Sequence, residues 1–133
     1  MRESMVIHES AEDYLEMMLM LRESKGYIRS TDIADGLGVT KPSVSYAVKR
    51  LRENGYINMA HDGEITLTEK GMEIASATYD KHKLISALLQ KIGVSEKIAL
   101  RDACKIEHDI SDETYEALLR HCKDYLEDDK KEN

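Results

Sequence analysis

The feature that most constrains this fold lies between Ser30 and Thr68. Thr31 to Leu37 has helical spacing, with Ile33, Ala34 and Leu37 facing inward and Ser30 or Thr31 as cap. Gly38-Val39-Thr40 is a tight turn, and Lys41 to Asn54 carries a second helical stripe of Val44, Val48 and Leu51. Pro42 stands at the start of that helix, where a missing N–H costs nothing. Gly55 is placed to end it. Two short helices joined by a Gly-containing turn form a helix-turn-helix. Tyr56-Ile57-Asn58-Met59 and Glu64-Ile65-Thr66-Leu67-Thr68 follow as strands around Asp62-Gly63, a hairpin signal. A hairpin directly after the second helix makes a winged helix, with His61 at the hairpin tip.

The charge distribution gives this unit a direction. The chain as a whole has a formal charge of -7, which argues against general polyanion binding. Lys41 to Arg52 nevertheless holds Lys41, Lys49, Arg50 and Arg52 and no acid. The second helix and the turn before it present Thr40, Lys41, Ser43, Ser45, Tyr46, Lys49 and Arg50. These are hydrogen-bonding groups and cations of the kind that reach base edges and phosphates in a major groove. Lys49 and Arg50 are expected mainly at phosphate, and Ser43 and Tyr46 nearest the bases. From Ser95 to the C-terminus acids exceed bases, so the anionic partner is a focused one.

The flanking sequence is helical. Ser10 to Glu23 reads as a first helix, with Ser10 as N-cap, Glu12 and Asp13 in the first turn, and Tyr14, Met17, Met18 and Leu21 as its buried stripe. After the hairpin, Thr68 caps a long helix, Glu69 to Lys91, in which Gly71 weakens the first turn and Gly93 marks the end. Ser95 opens a helix to about His108, and Ser111 caps the last one. Tyr115, Leu118, Leu119, Cys122, Tyr125 and Leu126 are too many apolar side chains for a lone terminal helix and suggest a dimer interface. Glu127 to Asn133 reads as a charged, frayed tail. With no Phe or Trp, the core must come from aliphatic residues, Met and some Tyr.

No apolar run approaches the roughly 20 residues of a membrane span, and the N-terminus lacks a signal-peptide pattern. A cytoplasmic protein is expected, with Cys104 and Cys122 as thiols or ligands rather than a disulfide. Cys122 is most simply a small buried hydrophobe.

A second kind of chemistry sits in Cys104-Lys105-Ile106-Glu107-His108. On a helix, Cys104, Glu107 and His108 fall at i, i+3 and i+4, on one face about a turn apart. Thiol, carboxylate and imidazole together are a ligand set for a borderline divalent cation. Asp13 and Glu16 form a second cluster at i, i+3, and His82 is a third candidate. Any one such cluster is commonly only solvated surface, and no spacing here matches a zinc finger.

The order winged helix, long helix, then a helix ending in Ile106-Glu107-His108 resembles the diphtheria-toxin repressor family of metal-dependent transcriptional regulators. The resemblance is carried by Glu12-Asp13-Tyr14-Leu15-Glu16, Ser43-Val44-Ser45, Lys81-His82-Lys83-Leu84, and Ala103 to His108 followed by Ser111-Asp112-Glu113. It implies that Asp13, Cys104, Glu107 and His108 occupy metal-ligand positions, with Glu16 and His82 as further ligands. The set mixes two branches of that family. Manganese sensors have a carboxylate where Cys104 stands, while iron sensors have a cysteine there but a methionine where Asp13 stands. The ancillary site of iron-type members would need ligands at Ser86 and Leu100, which ligate poorly, so it is not carried over. As in the two-domain manganese branch, no third, barrel-like domain is expected.

The expected protein is mainly α: a winged helix-turn-helix over residues 1–72 and a helical metal-binding and dimerisation domain over residues 73–133. Its expected function is that of a homodimeric repressor of metal-uptake genes on palindromic double-stranded operators. Mn²⁺ or Fe²⁺ activates it from a position between the two domains, with Co²⁺ or Zn²⁺ able to substitute in vitro. The alternative is a winged-helix regulator responding to a small organic ligand. An enzyme is disfavoured, since no nucleophile–base pair or Gly-rich phosphate loop appears.

Overall fold

A computed structural model describes the backbone of residues 2–132 and the side chains of residues 11–122. In chain order the elements are α1 (Arg2–Lys25), α2 (Ser30–Leu37), α3 (Lys41–Glu53), β1 (Ile57–Met59), β2 (Ile65–Leu67), α4 (Glu69–Lys91), α5 (Glu96–Asp109) and α6 (Asp112–Glu132). The chain forms two compact units, Met1–Thr78 and Tyr79–Asn133, whose boundary falls inside α4.

In the first unit α1 begins well before the expected start, and Ser10 lies inside the helix rather than capping it. Neither Gly nor Pro occurs before Gly26, so nothing in the sequence interrupts helix N-terminal to Ser10. The buried face of α1 is also displaced. Leu15, Met18, Leu19 and Leu21 are buried, whereas Tyr14 and Met17 are only half-buried. The helix packs against α2, α3 and β2 together, so its covered arc is wider than a four-residue stripe.

Helix α2 starts at Ser30, one residue earlier than a Ser30 cap and two earlier than a Thr31 cap would place it. The N-cap is Arg29, in extended conformation and without a side-chain cap bond. Its carbonyl accepts the amides of Asp32 and Ile33 at 3.1 and 3.2 Å. The extended backbone follows from pairing with the wing, because the Ile65 amide donates to the Ile28 carbonyl at 2.9 Å. Gly38 closes α2 at φ 69°, where its own amide and that of Val39 both bond to the Ala34 carbonyl. Only glycine takes this left-handed conformation freely.

Helix α3 follows the sequence closely. Thr40 is its N-cap and accepts the Ser43 amide at 3.3 Å, Pro42 sits in the first turn, and Val44, Val48 and Leu51 are buried. Asn54 is the C-cap, with Gly55 next in the left-handed region. The two strands are shorter than read, three residues each, and pair antiparallel with Ile57 opposite Leu67 and Met59 opposite Ile65. Ile57 and Ile65 point into the core beside Ile28, Ile33, Val44 and Met18.

Gly71 is more than a weak point in α4. A Cβ there would stand 2.0 Å from the Tyr56 carbonyl oxygen. The same carbonyl accepts the Thr68 amide at 3.0 Å, and Thr68 Oγ1 accepts the Gly71 amide at 3.1 Å while donating to the Gly55 carbonyl at 2.7 Å. The start of α4 is therefore seated on the strand-entry backbone, and only a residue without a side chain fits.

The second unit contains the rest of α4, then α5 and α6. Leu84, Ile85, Ala99 and Ala103 are its buried apolar residues. Ser111 caps α6, accepting the Thr114 amide at 3.1 Å. Lys81 reaches Asp112 at 3.3 Å and lies 5.6 Å from the Tyr115 ring centre, tying α4 to α6. Of the expected α6 stripe, Tyr115 and Leu118 are half-buried and Leu119 is exposed. Cys122 is half-buried rather than buried. The side chains of Tyr125 and Leu126 and the tail from Glu127 lie outside the described residues. Among the described residues no helix is long and apolar enough to cross a membrane.

Two glycines give a paired expectation. A Cβ on Gly36 would meet only the Met17 thioether, at 2.6 Å, a flexible group that can swing aside. Gly36→Ala is expected to change stability by less than about 1 kcal/mol, whereas Gly71→Ala against rigid backbone should cost about 1–3 kcal/mol. Urea denaturation of both variants tests the difference.

Candidate metal centre and DNA-reading face

Helix register creates the metal-type cluster of the second unit. Cys104, Glu107 and His108 share one face of α5, and one ligand atom from each lies within 4.8 Å of the others. Helix α4 adds His82 from the facing side. Glu107 is at the centre of the group. Its side chain is 0% exposed, with Oε2 3.3 Å from His82 Nδ1 and Oε1 3.5 Å from His108 Nε2. The two imidazoles are 9% and 6% exposed, while Cys104 is open to solvent. Tyr79 stacks on the His82 ring at 6.4 Å between centroids.

The polar bookkeeping of this cluster fits a cation. Neither Glu107 oxygen accepts a hydrogen bond, and His82 Nδ1 makes none. A buried carboxylate facing ring nitrogens is costly unless a proton or a cation lies between them. Thiolate, carboxylate and imidazole are also the donors that first-row divalent metals accept. With metal–ligand distances of about 2.0–2.3 Å, the donor atoms of one ion lie some 3–4 Å apart, within the spacing found here.

The other expected metal residues belong to the first unit. Asp13 and Glu16 lie one turn apart on α1, Asp13 half-buried and Glu16 only 5% exposed. In the second unit Ser86 is buried and its hydroxyl accepts Gln90 Nε2 at 3.1 Å, while Leu100 is exposed. Neither adds a ligand.

The reading face is built on α3. Thr40, Lys41, Ser43, Ser45, Tyr46 and Lys49 are exposed and Arg50 is half-buried. Thr40 and Ser43 are joined hydroxyl to hydroxyl at 2.9 Å. Arg50 Nη1 donates to the Tyr46 hydroxyl at 3.0 Å, and its guanidinium carbon lies 5.7 Å from the Tyr46 ring centre. The wing turn is held by Arg29, whose Nη1 donates to the Asp62 carbonyl at 2.8 Å with Nη2 3.9 Å from Asp62 Oδ2. Sequence reasoning missed Arg29, since its partner is 33 residues away and no local pattern marks the pair. The dual orientation of Glu107 toward two histidines was likewise not visible in a linear spacing.

A winged helix with an exposed, basic reading helix, followed by a helical unit that gathers divalent-metal donors, defines a metal-responsive DNA-binding regulator. Comparison with known proteins agrees. Residues 7–65 match the family model for the iron-dependent repressor N-terminal DNA-binding domain, and residues 68–132 match its metal-binding and dimerisation domain. The chain belongs to the iron-dependent repressor family of transcriptional regulators. An HTH-type transcriptional regulator of Methanocaldococcus jannaschii is 42% identical over 112 residues, covering 83% of this chain and 90% of that protein. The transcriptional regulator MntR of Salmonella typhimurium is 37% identical over 111 residues, covering 84% of this chain and 71% of the relative. The solved structure of the manganese regulator SloR superposes with a TM-score of 0.72 at 31% identity, over 85% of this chain and 53% of that one. The chain thus spans about half the length of that solved protein.

A bound ion should stabilise the fold through Glu107. At a hundredfold excess over the dissociation constant, Mn²⁺ or Co²⁺ should add about 2.7 kcal/mol to wild-type stability. Glu107→Gln keeps the shape but loses the anionic donor, and its melting temperature should no longer respond to either ion. Thermal melts with and without ion after chelator treatment provide the check.

Proposed function

We propose that the chain is a homodimeric, metal-activated repressor of metal-uptake genes, switched on by Mn²⁺ or Fe²⁺. Asp13, Glu16, His82, Cys104, Glu107 and His108 are the proposed ligands. Thr40, Lys41, Ser43, Ser45, Tyr46, Lys49 and Arg50 are the proposed contacts to a palindromic operator. The observation that carries the reading is the buried Glu107 carboxylate, which faces His82 with one oxygen and His108 with the other and accepts no hydrogen bond. Its placement between the two imidazoles suits a carboxylate that would help hold a divalent ion. Family membership and the manganese regulator among the structural relatives support a divalent ion as the effector.

The mechanism follows from where the donors are carried. Asp13 and Glu16 ride on α1, which packs against α2 and α3 and so moves with the reading helix. The remaining donors ride on α4 and α5 of the dimerisation unit. When bound, the ion supplies the positive charge that lets these carboxylates converge. An ion held by donors carried on both units would couple ion binding to the spacing of the two heads, matched to half-sites about one helical turn apart or a multiple of it. Such coupling contributes about 1–3 kcal/mol, or roughly 5–150-fold in DNA affinity, and acts equally on metal affinity. The apolar surface left exposed by Ile92, Leu100 and Leu119 supports self-association of the second unit.

Two measurements test the proposal. Operator affinity with and without Mn²⁺ or Fe²⁺ should rise with ion for wild type and stay low for His108→Ala. Equal affinity in all four cases sinks the switch and favours a regulator that answers to an organic ligand. Cys104→Glu replaces a soft donor by a hard one, so it should keep activation and move ion preference toward Mn²⁺. Competition between Mn²⁺ and Co²⁺ for the two proteins reads that shift.

A further inference from the structure

We infer that Tyr46 and Arg50 act as one base-reading unit, in which Arg50 fixes the Tyr46 hydroxyl as a donor and the pair selects guanine. The inference rests on the DNA-binding reading above and assigns the chemistry that the reading helix recognises.

The two residues stand at i, i+4 and so share one face of α3. Tyr46 is 64% exposed, far more than a core or packing role would leave it. Its phenolic oxygen accepts Arg50 Nη1 at 3.0 Å, and the guanidinium lies 5.7 Å from the ring centre, inside cation–π range. The base of Arg50 is itself pinned, because its carbonyl accepts both the Asn54 amide at 3.0 Å and Asn54 Nδ2 at 2.7 Å.

A phenol has one O–H and two lone pairs. The Arg50 N–H takes one lone pair, and its positive charge repels any further approaching donor. It also polarises the O–H toward donation. Tyr46 is therefore set to give a hydrogen bond, not to receive one. In the major groove this matches acceptors and opposes the amino groups of cytosine and adenine. Guanine alone places two acceptors, O6 and N7, side by side. The Tyr46 O–H can address one, and a remaining N–H of Arg50 the other. Nearer the start of the helix, the Thr40 hydroxyl donates to the Ser43 hydroxyl and accepts the Ser43 amide, so these two compete less for this role. Arg50 is thus a specificity residue, and not the plain phosphate contact that its charge alone suggests.

The test uses the full chain loaded with Mn²⁺ and a pool of random duplex DNA. The sequence enriched by wild type is then varied one position at a time and titrated against wild type, Tyr46→Phe, Arg50→Ala and the double variant. Of the two substituted residues Tyr46 is exposed and Arg50 half-buried, and thermal melts check that the variants fold. Wild type should prefer guanine at one position of each half-site by about tenfold or more. Tyr46→Phe and Arg50→Ala should each reduce that same preference to within about twofold, with no further loss in the double variant. Tyr46→Phe should leave the salt dependence of binding unchanged. Retained guanine preference in either single variant overturns the inference. So does an Arg50→Ala variant that weakens every sequence alike while lowering the salt slope by about one, as a phosphate contact would. If wild type enriches no sequence, the regulator reading itself fails and takes this inference with it.

Discussion

The buried carboxylate of Glu107 sets the terms for the second unit. Helix α5 carries it inward between Ala103 and the α4 face, where it meets His82 on one side and its own helix neighbour His108 on the other. Among the described residues none donates a hydrogen bond to its oxygens, so the cost of burying its charge is met by a cation or by protons shared with the imidazoles. A fold that needs a cation at one point has stability that depends on that cation's concentration. That dependence is the physical basis of a sensor: the same interaction that completes the packing reports how much ion is present.

The first unit is built on different rules. Its core is mainly apolar, from Leu15 and Met18 through Ile33 and Val44 to Ile57 and Ile65, with Glu16 and Thr78 as buried polar residues beside it. Its polar contacts fix geometry instead. Arg29 holds the wing turn, Thr40 caps the reading helix, and Thr68 with Gly71 seats α4 on the backbone at Tyr56. Surface ion pairs of this kind add little stability, typically below about 1 kcal/mol. Their value lies in holding exposed backbone and side chains in one pose, which recognition of a rigid duplex rewards. A self-contained reading head can be repositioned without being unfolded, as a two-state switch requires.

The mixed donor set has consequences for the ion. Aspartate, glutamate and histidine suit hard or borderline ions, while the exposed thiol of Cys104 is softer. For the proposed ligand set, affinity in a test tube would follow the general first-row order and would not by itself identify the ion used in the cell.

Much was legible in the sequence because local rules governed it. The Val44, Val48 and Leu51 stripe, Pro42 in the first turn, the Gly38-Val39-Thr40 turn and the Asp62-Gly63 hairpin are each written within a few residues, and each stands where the pattern put it. The Cys104, Glu107 and His108 face was legible too, because a helix turns spacing into adjacency. Tertiary structure decided the rest. Leu15 and Leu19 are buried on α1 in preference to Tyr14 and Met17 because three elements pack on that helix at once. Arg29, not Ser30, caps α2 because a wing strand holds Ile28 extended. Gly71 must be glycine because of a carbonyl fifteen residues away in sequence, and Glu107 faces His82 because α4 folds back beside α5. Local spacing fixes which residues share a face, but only the packed chain decides what that face meets.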